Sequence, residues 1–160
     1  MKIYVINPEN GKPETIEKWS KQPVPTRAQV LAIDTGEKTL LLLSKKYMRK
    51  KQGFKEAQAA SAAFHPKGTK GLTFRCPTRK ECIDIHDAQY YGLDEAVRLT
   101  GGNLGRDYAK FLFTWTGDGE MGPETGIFAW SYSGTFGIIH FDGILTKNLV
   151  LPVTLMEKPQ

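Results

Sequence analysis

The apolar positions of this chain change period along its length. Lys2-Ile3-Tyr4-Val5-Ile6 alternates and predicts a strand, closed by the turn cluster Asn7 to Pro13. Thr15 to Trp19 fits one helical turn, and Gln22-Pro23-Val24-Pro25 a stiff extended connector. Gln29 to Ile33 and Thr39 to Leu43 predict a hairpin around Asp34-Thr35-Gly36-Glu37-Lys38. The second of these strands is nearly all leucine. Burial of both its faces is therefore expected, as in a central strand under helices.

The period then lengthens. Phe54, Ala57, Ala60 or Ser61, and Phe64 recur at helical spacing, so a helix is expected from about Gly53 until His65-Pro66-Lys67-Gly68 stops it. Thr78-Arg79-Lys80-Glu81 fits a capping box, in which the threonine hydroxyl and the glutamate carboxylate each accept from the other's backbone N–H. Cys82, Ile85 and, one face over, Ile83 form the apolar side of that second helix. A third short helix, Leu93 to Leu99, ends at Gly101-Gly102. After it the pattern is strand-like. Phe111 to Trp115, Gly126 to Tyr132 and Phe136 to Phe141 are expected strands, with turns at Ser133-Gly134 and Asp142-Gly143. Leu149 to Leu155 closes the series, and Pro152 puts it at an edge or gives it a bulge. A hairpin, then helices, then an antiparallel meander defines an α+β chain rather than a βαβ repeat.

Length and composition narrow this picture. At 160 residues the chain suits one domain with a real core. Its longest apolar run, Leu40 to Leu43, is far short of a membrane span, and its start lacks a secretory h-region. A protein that stays in the cytoplasm, or leaves it by a route without a Sec signal, and has no membrane partner is the resulting expectation. Cys76 and Cys82 carry no metal spacing and are read as small buried residues. The net charge of +5 is partly local, since Lys45, Lys46, Arg49, Lys50, Lys51 and Lys55 lie in one stretch. That stretch reads as a solvated loop and helix start, or as a surface for an anionic partner. No helix-turn-helix, zinc or aromatic RNA-platform pattern accompanies it, which argues against nucleic acid.

Two constellations could carry binding chemistry. Gly117-Asp118-Gly119-Glu120-Met121-Gly122-Pro123-Glu124 reads as a Gly-rich loop whose three carboxylates offer oxygen ligands, or as a plain surface loop. It lacks the EF-hand register, and no metal or other cofactor is assigned. Phe128, Trp130 and Tyr132 alternate on one strand, so that face is either core or an aromatic platform for a sugar or peptide. Asp118, Glu120, Glu124, Trp130 and Tyr132 are accordingly the candidate ligand-binding residues. Tyr90-Tyr91 either packs on the sheet or marks a contact surface. His65, His86 and His140 are scattered without zinc spacing, and Gly101 to Arg106 follows a helix rather than the strand a phosphate loop needs. No catalytic residue is assigned.

From Phe54 to Met156 the chain resembles bacterial C-type-lectin-like domains related to the C-terminal domain of a collagen-like adhesin. The likeness rests on an ordered series. Phe54-Lys55-Glu56-Ala57 stands for the alanine-spaced helix, and Phe74-Arg75-Cys76-Pro77-Thr78-Arg79-Lys80-Glu81-Cys82 for the Pro-Thr motif. Phe113-Thr114-Trp115-Thr116, Ala129-Trp130 and Leu151-Pro152-Val153 follow in order. Cysteines stand where leucines are usual, and the segment before residue 27 has no counterpart. The resemblance implies residues 27–160 as the lectin-like domain after an N-terminal strand and connector over 1–26. It implies paired N- and C-terminal strands, two flanking helices, and binding loops that here span Gly101 to Gly126. The Glu-Pro-Asn and Trp-Asn-Asp motifs of calcium-dependent lectins are missing, so calcium-dependent sugar recognition is not implied.

The function expected first is a non-enzymatic binding or adhesion-type module, taking a protein or carbohydrate ligand. The second is a structural or assembly subunit that forms a homo-oligomer or a phage virion component, since such domains occur in bacteria and phages. The third is an enzyme akin to formylglycine-generating oxidases, but their reactive cysteine pair lies in a late segment, away from Cys76 and Cys82.

Overall fold

The computed structural model describes residues 1–21, 28–104, 113–121, 128–133, 138–143 and 147–160, with the stretches between 113 and 143 described by backbone register. The chain opens with β1 (Lys2–Ile6), β2 (Pro13–Thr15) and α1 (Ile16–Ser20). β3 (Val30–Asp34) and β4 (Thr39–Ser44) make the expected hairpin. α2 (Phe54–Ala62) and α3 (Arg79–Ala88) follow, then a 3-10 turn at Gln89–Tyr91 and α4 (Leu93–Leu99). β5 (Phe113–Met121), β6 (Phe128–Ser133), β7 (Ile138–Gly143) and β8 (Val153–Glu157) complete the series. Among the described residues, no helix is long and apolar enough to cross a membrane.

The strands form two antiparallel sheets. One has the order β2-β1-β3-β4-β8, and the other β5-β6-β7. The fold is α+β, as the pattern implied. Residues before 27 contribute β1, β2 and α1 to the same sheet and core as the hairpin.

β4 is buried on both faces, as its leucines required, but the two covers differ. Leu41 and Leu43 join Leu31, Ile33 and Val153 on a face closed by Trp19, Ile85, Leu93 and Val97 from α1, α3 and α4. Leu40 and Leu42 lie on the opposite face with Val30 and Ala32. There the cover is the segment between α2 and α3, which presents Phe74 with Phe64 and Leu72, rather than a second helical layer. A smaller cluster of Phe54, Ala57, Cys76 and Val150 seats α2. Of the two alternatives at its third position, Ser61 is the buried one.

Several boundaries differ from expectation. β8 begins at Val153, directly after Pro152, because proline has no N–H for the ladder. It is an edge strand of its sheet. Asp142-Gly143, expected as a turn, is the end of β7, paired with Ala129 and Phe128. Ile83, expected on the apolar side of α3, is 46% exposed. One residue past Cys82 it has rotated about 100° away from the buried stripe of Glu81, Cys82, Ile85 and Ala88. Lys45, expected in a solvated loop, is 4% exposed. Its Nζ donates to the Thr100 carbonyl at 2.5 Å, which satisfies the C-terminus of α4.

The Pro-Thr segment is locked at both ends. Arg75 exchanges two backbone hydrogen bonds of 2.8 Å with Val153, so the segment extends the β8 edge by one bridge. Thr78 and Glu81 complete the capping box of α3. The Glu81 carboxylate also takes a bidentate pair from Arg75, at 2.6 and 3.0 Å. Burial pushes the Glu81 pKa up, but the Arg75 guanidinium and the Thr78 N–H outweigh it and leave the group below its ordinary value of 4.5. A depressed carboxyl stabilises the fold above its unfolded pKa, and that contribution is lost as pH falls through the folded pKa. Glu81→Gln is therefore expected to cost about 1–2 kcal/mol at neutral pH, the half-open Arg75 side limiting the effect. It should also flatten the decline of stability below about pH 4.5, read by urea melts across that range. A variant whose acid limb matches the parent's would show that Glu81 is not the linked group.

Candidate functional site

The second sheet holds four of the five residues picked from the sequence. Asp118 and Glu120, expected in a loop, belong to β5, which continues without a turn to Met121. Cross-strand pairs with β6 on either side, at Trp115 and Glu120, carry the strand through the two glycines there. Glu124 lies outside the described residues, as do residues 105–112 and the rest of 122–126 in the expected 101–126 loops.

The β5–β6 ladder is interrupted. Trp115 pairs with Ser131, and the next partners are Glu120 and Ala129. Five steps along β5 therefore answer two along β6, and Thr116, Gly117, Asp118 and Gly119 stand against Trp130 alone. Bulges of this kind bend a strand and re-aim its side chains, and they gather beside functional sites. Two glycines flanking Asp118 suit such an excursion, since they tolerate backbone conformations closed to other residues. The break thus leaves Asp118 among four β5 residues that answer the single position Trp130 on β6, with Glu120 in the next pair along. Tyr132 sits two residues from Trp130, between Thr114 on β5 and Ile139 on β7. α3 lies against β5 and β6, and α2 against β5, which ties this sheet to the helical layer.

The cysteines are poorly suited to chemistry. Cys76 is fully buried, and burial pushes its thiol up to about 11 despite the Ser61 hydroxyl 3.5 Å away. Cys82 is buried on α3, and neither cysteine is in a disulfide. A thiol held that high is protonated at neutral pH and is a weak nucleophile.

Three further surface features stand out among the described residues. A cleft of ≈ 230 Å³ runs between the β3–β4 turn and the start of α3, lined by Thr39, Arg75, Lys80, Asp84 and Leu155 among others. Its charges are already paired, with Lys80 bridging Asp84 at 3.0 Å and Glu37 at 3.2 Å. Tyr90 and Tyr91, left open between packing and contact, are 80% and 58% exposed beyond the end of α3. Arg49, Lys50, Lys51 and Lys55 are exposed as expected, and Lys147 joins them through the bridge between Gln52 and Asn148. No local signal could have placed Lys147 there, since the bridge spans almost a hundred residues of sequence.

No protein-family model and no curated protein matches the chain.

Proposed function

We propose that the chain is a non-enzymatic binding module of the C-type-lectin-like kind, with a carbohydrate or peptide ligand held at the β5 bulge. Connectivity supports the fold part of this reading. β4 and β8 pair side by side, α2 and α3 follow β4, and a separate three-stranded sheet intervenes before β8. The resemblance expects that arrangement of paired terminal strands around two helices and a binding region. The pair begins at β4 rather than at β1, which joins the far side of β3.

One observation carries the binding part: the register break that leaves Asp118 among the four β5 residues answering the single position Trp130. A carboxylate accepts hydroxyl or amide hydrogens, and an indole face takes the C–H face of a sugar ring or an apolar side chain. Convergence of a few polar groups with aromatic surface is the usual make-up of a ligand site. A second reading, an assembly subunit, is favoured by the exposed Ile83, Tyr90 and Tyr91 around the end of α3.

One experiment separates the two readings. Ligands from glycan and peptide arrays are titrated calorimetrically against the parent, Asp118→Asn and Trp130→Ala, alongside light scattering. The binding reading expects a monomer whose affinity falls at least tenfold in Trp130→Ala and severalfold in the fold-neutral Asp118→Asn. An oligomer that dissociates on Tyr90→Ser, with no ligand affected by Asp118→Asn, would replace it with the assembly reading.

A further inference from the structure

We propose that Arg49, Lys50, Lys51, Lys55 and Lys147 form a surface that binds the phosphate backbone of a nucleic acid duplex without reading its sequence. The chain has 22 Lys and Arg against 17 Asp and Glu. Setting these five aside leaves 17 against 17, so their number equals the net charge of the chain. All five are exposed, and among the described residues none of them makes an ion pair. Glu56 is the single carboxylate in the sequence from residue 45 to 61.

The basic loop is held in place. The Tyr47 N–H donates to Asn103 Oδ1 at 3.1 Å, and the Met48 N–H donates to the Val150 carbonyl at 2.9 Å. Gln52 and Asn148 exchange bonds of 2.8 and 2.9 Å, which brings Lys147 beside Gly53, between Lys51 and Lys55 along the chain. Anchoring on both sides of Arg49-Lys50-Lys51 fixes their backbone before any ligand arrives and lowers the ordering cost of binding.

The make-up of the surface favours a duplex over other polyanions. Neutralising phosphates releases condensed counterions, and this needs cations but no recognition motif. The absence of such a motif argued against nucleic acid from sequence, yet it bears only on sequence-specific readout. Phe54 is buried and Tyr47 is half-buried against the main core, so among the described residues no exposed aromatic stands in the basic loop for stacking unpaired bases. Nor, among the described residues, does an exposed large apolar side chain stand in the basic loop to anchor it in a lipid surface.

The test uses the full chain and a mixed-sequence DNA duplex of about 20 base pairs, followed by fluorescence anisotropy as salt is varied. With about −0.9 per neutralised phosphate, five contacts give a log–log slope near −4.5, or roughly a 500-fold loss between about 50 and 200 mM salt. Arg49→Gln/Lys50→Gln/Lys51→Gln is expected to lower the slope by about 3 and to abolish binding at physiological salt. The control Lys12→Gln/Lys67→Gln/Lys70→Gln changes net charge equally at exposed positions elsewhere and should leave binding nearly intact. Equal losses in both variants, or no duplex binding at low salt, would overturn the proposal. So would binding of phosphatidylserine vesicles that depends on the loop when the duplex does not bind.

Discussion

Phe74→Ala is expected to cost about 3–5 kcal/mol, the range for removing a fully buried aromatic from a core. Phe74 is 1% exposed and closes the face of β3 and β4 that no helix covers. Its ring meets Phe64 edge to face, with centroids 5.0 Å apart and planes at 85°. The backbone on either side has little freedom to collapse into the void. Arg75 is bonded to Val153 in both directions, and the Thr73 carbonyl accepts from the Thr154 hydroxyl at 2.8 Å. A site that cannot relax keeps its cavity, which places the cost in the upper part of that range. Domains of this kind hold about 5–15 kcal/mol in all, so much of the stability goes at one position. Urea melts should show a lowered midpoint with an unchanged slope. Phe64→Ala, at a half-buried position, should cost less, and the double variant should show coupling of about 0.5–1.5 kcal/mol between the rings. A loss under about 1.5 kcal/mol in Phe74→Ala would mean that the segment between α2 and α3 is not the second cover of the sheet.

What the sequence disclosed divides by range. The capping box at Thr78 and Glu81 was legible because both partners lie within one helical turn and each has a distinctive side chain. The burial of Leu40 to Leu43 was legible from their composition alone. The length of β5 was not, because Gly117, Asp118 and Gly119 carry turn propensity and the pairs with β6 that continue the strand lie on either side of them. The same holds for Lys45: a lysine in a basic run reads as solvated unless its partner is known, and Thr100 is 55 residues away. Of the candidate site, the residue types were legible and their juxtaposition was not. Asp118 and Trp130 fall within the same register break, which is a property of two strands together. Arg75 shows both cases at once. Its pairing with Glu81 lies within reach of local reasoning, whereas its bridge to Val153 decides where the Pro-Thr segment sits.

Gly101 and Gly102 read alike in the sequence, but they are expected to respond very differently to substitution. Both end α4 in a Schellman arrangement: the Gly101 N–H donates to the Arg98 carbonyl at 3.2 Å, and the Gly102 N–H to the Val97 carbonyl at 2.8 Å. Gly101 has φ +70 and open space where a Cβ would go, so Gly101→Ala carries only the left-handed strain of about 1–2 kcal/mol. Gly102 has ordinary backbone angles, but its added Cβ would lie 2.3 Å from the Lys45 carbonyl oxygen. That oxygen accepts from the Asn103 N–H at 3.0 Å, while the Lys45 side chain caps Thr100. Relieving the clash therefore pulls α4 away from the end of β4 and leaves the buried ammonium without its acceptor. Burial already holds the Lys45 pKa below its ordinary value, so an unpartnered charge there is poorly tolerated. Gly102→Ala is expected to cost about 3 kcal/mol or more, clearly above Gly101→Ala, in parallel urea melts. If the two variants lose the same stability, or Gly101→Ala loses more, then α4 does not rest on Lys45.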